Sequence, residues 1–221
     1  MTTIYLIRHS VKLSKSEIDS YNGINDKNLI DEKTVLSVIG EKRAETLSNE
    51  EELRNIDVVY SSNMVRSIQT AKYLCFKENL HINIDKRLNE RRYGKENSDE
   101  YPNWFSLQYL DKKFKTTNGE SQEEVSNRMH ECINEILEKH NGKRIAVFTH
   151  GYAITFALLK WCELVSVDET RKLTLKYNNK IIMDKIINAP EVFKLEFDKD
   201  NNIKNIELIE FDDIPYMHGG I

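Results

Sequence analysis

Short apolar runs alternate with longer amphipathic stretches along the first three quarters of the chain. The apolar runs predict strands over residues 4–7, 57–61, 82–84 and 144–149. Helical spacing of apolar residues predicts helices over about 37–53, 64–76 and 152–164. The clearest helix begins at Ser121, which can form a capping box with Glu124 ahead of apolar residues three and four positions apart, and we expect it to end at Asn141-Gly142.

Strands that alternate with helices indicate an α/β fold. We predict one domain over 1–221, a three-layer sandwich whose central, mostly parallel sheet is flanked by helices. An aromatic-bearing insertion after the third strand, about 93–119, is expected to cover the site. Alternating residues at 192–197 and 203–211 around a polar turn predict a C-terminal hairpin over 191–211. Residues 166–189 are compatible with either strand or helix, and the tail 212–221 is expected to be loose.

Composition narrows the class of protein. The chain has 221 residues, 39% hydrophobic and 31% charged, with a formal net charge of −4. No basic stripe of the kind that binds nucleic acid is present. Three scattered cysteines without a Cys-x-x-Cys pair predict neither a disulfide framework nor a zinc site. The first strand begins almost at once, without a signal-peptide pattern, and no apolar run is long enough to cross a membrane, so we expect a soluble, cytoplasmic protein.

Three of the predicted strands are followed by cationic or imidazole side chains. Arg8 and His9 follow the first strand, Arg66 lies just past the second, and His150 follows the fourth. The carboxyl ends of parallel strands meet at one edge of a sheet, where ligands bind. Guanidinium groups bind paired oxygens of phosphate or carboxylate, and the N-termini of the following helices add N–H donors. The pattern predicts an anion pocket.

The histidines give such a pocket a possible reaction. An imidazole can attack phosphorus and form a phosphohistidine, while arginines neutralise the phosphoryl oxygens without a metal or another cofactor. A carboxylic acid must protonate the leaving alkoxide and later activate water. Glu90, which follows the third predicted strand, is the preferred candidate, with Glu96, Asp99 and Glu100 as alternatives.

Six collinear motifs resemble the histidine phosphatase superfamily, also called the phosphoglycerate mutase-like family. They extend from residue 4 to about 164 and comprise Leu6-Ile7-Arg8-His9, Leu36-Ser37 with Gly40, Ser61-Ser62 with Arg66 and Gln69-Thr70-Ala71, Leu88-Asn89-Glu90, Gly119-Glu120-Ser121 and Thr149-His150-Gly151. The resemblance implies His9 as the phosphorylated nucleophile and Glu90 as proton donor. It implies that Arg8, Arg66 and His150 hold the phosphoryl group.

The chain departs from the family pattern directly after the nucleophile. Ser10 stands where the family usually has glycine, and Val11-Lys12-Leu13 replaces the hydroxyl residue and asparagine of mutases. The departure favours a phosphatase acting on a phosphorylated small molecule or phosphoprotein. A phosphoglycerate mutase is the second hypothesis, because residues 88–94 look mutase-like. A phosphate- or phosphopeptide-binding module without chemistry is the third. The sequence leaves the oligomeric state open.

We also predict the environment of residues outside this set. The remaining histidines are expected at the surface: His81, His130, His140 and His218. Five basic residues are either part of the pocket mouth, where they would favour a second anionic group, or solvated loop charges: Lys12, Lys15, Arg91, Arg92 and Lys95. Three aromatic residues of the insertion form either an apolar lid or a small hydrophobic cluster: Trp104, Phe105 and Tyr109.

Overall fold

Parallel strands and their crossover helices form the main body of the computed structural model, which describes residues 1–14, 27–95, 100–168 and 170–217. The strands are β1 (Thr2–Arg8), β2 (Val58–Ser61), β3 (Ile82–Ile84), β4 (Arg144–Thr149), β5 (Glu163–Val167), β6 (Leu173–Tyr177), β7 (Lys180–Lys185), β8 (Glu191–Phe197) and β9 (Ile203–Ile209). The helices are α1 (Lys27–Lys33), α2 (Val38–Asn49), α3 (Val65–Glu78), α4 (Trp104–Leu110), α5 (Gln122–Lys139) and α6 (Gly151–Leu158).

The central sheet has the strand order β3-β2-β4-β1-β8-β9. β3, β2, β4 and β1 are parallel, and β8 and β9 add an antiparallel hairpin beside β1. The mostly parallel sheet and the C-terminal hairpin are therefore confirmed. In this register Arg8 lies opposite Thr149 on one side and opposite Glu191 on the other.

Two hydrophobic clusters cover the two faces of this sheet, which gives the predicted three layers. One cluster joins β1 and β4 to α5 and α6. The other joins the opposite face of β1, β2 and β4 to α2 and α3, including Leu47 and Leu74. Alternate residues of β1 point to opposite faces, so Ile4 and Leu6 belong to the first cluster and Tyr5 and Ile7 to the second. β1 is thus buried on both faces, which explains its nearly continuous apolar sequence.

Several element boundaries differ from the sequence-based expectation. The helix predicted over 37–53 ends at Asn49 and is followed by a 3₁₀ turn at Glu51–Leu53. The capping box of Ser121 and Glu124 is confirmed, and its helix, α5, ends at Lys139. The prediction of one helix over 152–164 was wrong, because α6 stops at Leu158 and β5 begins at Glu163. The segment after Cys162, which includes the β-branched Val165 and Val167, forms β5 and pairs with β6 instead of extending the helix.

Residues 166–189, which fitted either strand or helix, contribute to a second sheet with the order β5-β6-β7. Its strands are antiparallel, and Leu175 and Met183 face the first hydrophobic cluster. No helix of the described residues is long and apolar enough to cross a membrane.

Candidate active site

The ends of β1, β2 and β4 meet at one edge of the sheet. The backbone N–H of His9 donates to the Thr149 carbonyl at 2.9 Å, and that of Ser62 donates to the Phe148 carbonyl at 3.1 Å. Residues that directly follow the three strands therefore lie side by side. The structure brings His9 and His150 to a ring-centroid separation of 5.0 Å.

His9 is buried and has a defined tautomer. Its Nδ1 lies 2.7 Å from the Ser10 carbonyl oxygen. A carbonyl only accepts, so Nδ1 carries the proton and Nε2 keeps its lone pair. The Arg66 Nε–H donates to Nε2 at 3.1 Å. Burial, followed by the positive charges of Arg66 and Arg8, lowers the pKa of His9 well below its usual value, so the ring stays neutral and nucleophilic.

His150 is oriented by Ser62. The Ser62 hydroxyl accepts from the Met64 N–H at 3.3 Å and lies 2.7 Å from His150 Nε2. If the hydroxyl donates its proton to Nε2, His150 Nδ1 carries the other proton, and Nδ1 is buried without a partner among the described residues. Burial and then the Arg66 charge lower the pKa of His150 well below its usual value. In that tautomer His150 is a neutral ring whose Nδ1–H donor is unused, and the residue itself is not part of the cavity lining.

Arg8 reaches from the end of β1 toward the segment after β7. Its Nη1 donates to the carbonyls of Ile187 and Asn188, at 2.7 and 3.1 Å. Its Nε is buried without a partner among the described residues. A Cβ on Gly151 would lie 3.4 Å from this Nε, so the glycine leaves the donor open. Arg8 thus contributes a fixed positive charge and one unused N–H.

Arg66 lies in the first turn of α3, as expected, and contacts α1 as well as His9. Its Nη1 donates to the Asp31 carbonyl at 2.5 Å, and its Nη2 lies 3.3 Å from the Asp31 carboxylate. The same carboxylate is 3.8 Å from Lys12 Nζ. The carboxylate of Asp31 therefore lies among the cations that are expected to bind a phosphoryl group.

Glu90 faces the N-terminus of α6. Its Oε1 accepts from the Arg91 and Ala153 N–H groups at 2.9 and 3.1 Å, and its Oε2 accepts from the Tyr152 N–H at 3.3 Å. Burial raises the pKa of this carboxyl, although the backbone N–H groups and the charges of Arg66 and Arg8 oppose that rise. Oε2 accepts one hydrogen bond and Oε1 accepts two, so Oε2 is the oxygen able to exchange a proton with a ligand.

The loop that carries Glu90 is held by Arg128 of α5. The Arg128 guanidinium donates to the carbonyls of Arg87, Asn89 and Glu90 and pairs with Glu120 at 3.1 Å. The sequence did not indicate this role of Arg128, because the helical spacing on α5 identifies its buried apolar residues and gives no information on the contacts of its charged ones.

Lys12 is positioned by a close contact between the segment after β1 and α2. Ser37 caps α2, and its N–H donates to the Val11 carbonyl at 2.9 Å. A Cβ on Gly40 would lie at 1.9 Å from that same carbonyl oxygen, so only glycine permits this approach. Lys12 consequently lines the cavity that His9 also lines.

The cavity over these residues is lined by both charged and aromatic side chains. Arg8, His9, Arg66 and Glu90 are among the charged and polar ones. The rest of the lining comprises Lys12, Tyr93, Phe105, Tyr109, Gly151, Tyr152, Thr155, Arg171, Leu173, Ile186 and Ile187. The insertion contributes Phe105 and Tyr109 to this lining, and the Trp104 ring packs edge-on against that of Phe105. The residues from the second sheet were missed, because the fold of 166–189 was undecided.

Other sequence-based expectations have mixed outcomes. Arg91 is buried and does not line the cavity, whereas Arg92 and Lys95 are exposed. Glu100 is exposed and lies outside the lining. The expectations for Lys15, Glu96, Asp99 and His218 lie outside the described residues.

The surface assignment of His130 was wrong. The residue is buried, its Nε2 lies 2.9 Å from the Ala157 carbonyl, and its ring packs on Trp161 at 4.4 Å. Contact between α5 and α6 buries this face of the helix.

Ser10 does not crowd the cavity. It is fully buried, its N–H donates to Thr70 Oγ1 at 3.0 Å, and its side chain is absent from the cavity lining. Its backbone φ is not positive, so no conformational demand for glycine exists here.

Known proteins resemble this chain in sequence and in fold. A model of the histidine phosphatase superfamily (branch 1) matches residues 4–184. Phosphoserine phosphatase 1 of Hydrogenobacter thermophilus is 26% identical over 177 residues, which are 76% of this chain and 78% of that protein. Among solved structures, Bacillus stearothermophilus YhfR has a TM-score of 0.64 at 18% identity, covering 100% of this chain and 98% of that one. Mycobacterial glucosyl-3-phosphoglycerate phosphatase has a TM-score of 0.61 at 18% identity, with 93% and 96% covered.

Proposed function

The chain belongs to the histidine phosphatase superfamily (branch 1), and from this membership we propose that it is a metal-independent phosphomonoesterase that works through a phosphohistidine at His9. One observation carries the proposal. His9 has a neutral Nε2 and lines the cavity together with Arg8, whose Nε–H is buried without a partner among the described residues. The His150 ring lies 5.0 Å from that of His9, and its Nδ1, which carries a proton when Ser62 donates to Nε2, is buried and likewise unpartnered. Buried donors are seldom left unpaired, and phosphoryl oxygens are suitable acceptors.

In the first step the Nε2 lone pair of His9 attacks phosphorus. The bond between phosphorus and the ester oxygen breaks, and the leaving alkoxide takes a proton from Glu90 Oε2. Arg66 Nε–H, released from Nε2, donates to a phosphoryl oxygen together with Arg8 and His150. These donors act on charge that builds up on the equatorial oxygens.

In the second step the ionised Glu90 removes a proton from water. The resulting nucleophile attacks phosphorus, the bond from phosphorus to Nε2 breaks, and the electron pair returns to His9. Inorganic phosphate leaves and Glu90 is protonated again. The raised pKa of Glu90 favours the protonated carboxyl that the first step needs.

The substrate is a phosphorylated small molecule or phosphoprotein in a soluble, cytoplasmic setting. The relatives named phosphoserine phosphatase and glucosyl-3-phosphoglycerate phosphatase support a small phosphate ester.

The test is phosphate release from an aryl phosphate and from small alkyl phosphates in the presence of a chelator. We expect turnover by the wild-type protein, none by His9→Ala, and an acid-labile phosphoenzyme on the wild type after rapid quench. Activity that needs added metal, or that survives in His9→Ala, would disprove the mechanism. Phosphate binding without turnover would favour the binding-module hypothesis. Interconversion of 2- and 3-phosphoglycerate faster than phosphate release would favour a mutase.

A further inference from the structure

Arg171 lines the same cavity as His9 and Glu90, although it belongs to the second sheet. It lies in the connection between β5 and β6, where its N–H donates to the Asp168 carbonyl at 3.1 Å. Its φ of 72° falls in the left-handed region, which residues with a side chain seldom adopt. The connection thereby holds a cationic side chain against the site.

The guanidinium of Arg171 rests on aromatic rings of the insertion. Its Cζ lies 5.3 Å from the Phe105 ring centroid and 6.0 Å from that of Trp104. Such stacking fixes the plane of the guanidinium and leaves its edge N–H groups available. Nη1 of Arg171 is buried and has no hydrogen-bond partner among the described residues.

The lining of the cavity carries more positive than negative charge. Arg8, Lys12, Arg66 and Arg171 line it, and Glu90 is the one acidic residue among the described lining. Arg91 adds a buried guanidinium behind the wall, 5.9 Å from the Trp104 ring. A phosphoryl group needs the cations beside His9. Arg171 lies in the connection between two strands of the second sheet and stacks on the insertion, so its unpaired Nη1 is available to a second anionic group.

We propose that Arg171 is a specificity-determining residue that binds a carboxylate of the substrate, at a different part of the cavity from the transferred phosphoryl group. This inference rests on the proposed phosphatase function and narrows its substrates to phosphate esters of small carboxylic acids. A planar carboxylate matches the stacked, planar guanidinium. Tyr93, Tyr109, Tyr152 and Leu173 provide apolar surface for a short carbon chain.

The kinetic test uses substrate pairs that differ chiefly in the carboxylate. The pairs are phosphoserine with phosphoethanolamine, and 3-phosphoglycerate with glycerol 3-phosphate. The wild type is expected to prefer the carboxylate member of each pair. In Arg171→Gln that preference falls about 10- to 100-fold, the range for losing a hydrogen bond between charged groups, and the loss is mostly in KM. Turnover of the members without a carboxylate is expected to fall far less than that of the carboxylate members.

Two further variants separate recognition from folding and from net charge. Arg171→Lys keeps the positive charge but lacks the planar set of guanidinium N–H donors, so we expect it to restore part of the preference for carboxylate substrates. Lys172→Gln removes a neighbouring charge that pairs with Asp184 at 2.9 Å outside the cavity, and it should keep the full preference. Equal preference in the wild type and Arg171→Gln overturns the inference. A larger Arg171 effect on propanediol bisphosphate than on 3-phosphoglycerate overturns the assignment to a carboxylate.

A binding measurement makes the inference independent of turnover. Calorimetry on His9→Ala, with and without Arg171→Gln, compares 3-phosphoglycerate with glycerol 3-phosphate. Tighter binding of 3-phosphoglycerate that depends on Arg171 supports the inference even if no substrate is hydrolysed, in which case only the proposed function fails. Equal binding of both ligands, or no binding of either, overturns it.

Discussion

The Nε–H of Arg66 donates to Nε2 of His9 across 3.1 Å, so the candidate nucleophile is held by the side chain that is also expected to bind the phosphoryl group. The contact keeps the lone pair of Nε2 directed toward a positive charge and keeps the ring neutral. In the proposed mechanism, a phosphoryl oxygen accepts the Arg66 N–H in place of Nε2, which leaves the Nε2 lone pair free to attack phosphorus.

Replacing Arg66 should therefore change both rate and pH dependence. We expect Arg66→Gln to lower kcat by about 100- to 1,000-fold, as for the loss of one donor to a developing negative charge. Loss of the Arg66 charge also raises the pKa of His9 toward its usual value, so the acidic limb of the pH profile moves to higher pH. Profiles of kcat/KM for both proteins measure this. An unmoved acidic limb would contradict the electrostatic role, and exposed Arg54→Gln is the control.

Removing the Asp31 carboxylate should strengthen binding of the substrate. This carboxylate lies 3.3 Å from Arg66 Nη2 and 3.8 Å from Lys12 Nζ, so it competes with a phosphoryl group for the same cations. Asp31→Asn is expected to lower KM and the inhibition constant of inorganic phosphate several-fold. Glu32→Gln removes the same charge from the next residue and should leave both constants unchanged. A higher KM in Asp31→Asn would show that the carboxylate orders the site instead.

Replacing Glu90 should affect esters according to their leaving group. A poor alkoxide leaving group needs the Glu90 proton, whereas nitrophenolate leaves without one. We expect Glu90→Gln to lower kcat about 100- to 10,000-fold for alkyl phosphates and much less for nitrophenyl phosphate. Wild-type activity on alkyl esters should fall as pH rises through the raised pKa of Glu90, because the proton donor is lost. Glu100→Gln is the control, and an equal loss for both ester types would exclude the acid role.

Ser10 is expected to be dispensable for the chemistry. Its Oγ is buried without a partner among the described residues and lies outside the cavity lining. Ser10→Ala removes this unpaired hydroxyl, so the free energy of unfolding should stay the same or rise by up to about 1 kcal/mol. We expect kcat/KM to change less than about twofold. A tenfold loss would place the hydroxyl in the phosphoryl site.

His130 should make folding stability depend on pH. Burial lowers the pKa of His130 from 6.5 to about 4. As pH falls, the unfolded chain therefore binds a proton at His130 before the folded protein does. The stability that the folded state gains from its neutral His130 is complete above pH 6.5 and decreases as pH falls toward 4. The loss should approach roughly 3 kcal/mol. His130→Gln keeps an N–H donor for the Ala157 carbonyl without titrating. Urea unfolding at several pH values measures the free energy of unfolding of both proteins. We expect the wild type to lose more of it than His130→Gln as pH falls toward 4. Parallel pH curves for the two proteins would contradict the role of His130.

The sequence by itself determined the strands that end in the candidate site residues. Arg8, His9 and His150 follow short apolar runs that predict buried strands, and parallel strands place their carboxyl ends at one edge. The capping box of Ser121 is equally local, because its partners are three residues apart. A strand pattern and a helix cap each involve residues only a few positions apart in the sequence, so both can be predicted from short stretches of it.

Only the tertiary structure decided the finer chemistry. Ser62 and His150 are 88 positions apart, yet the contact between them orients the second imidazole. Arg171 reaches the cavity because β5, β6 and β7 form a separate sheet, and His130 is buried because α5 packs on α6. Hydrogen bonds and burial between distant residues depend on how whole elements pack, and no local period in the sequence encodes that packing.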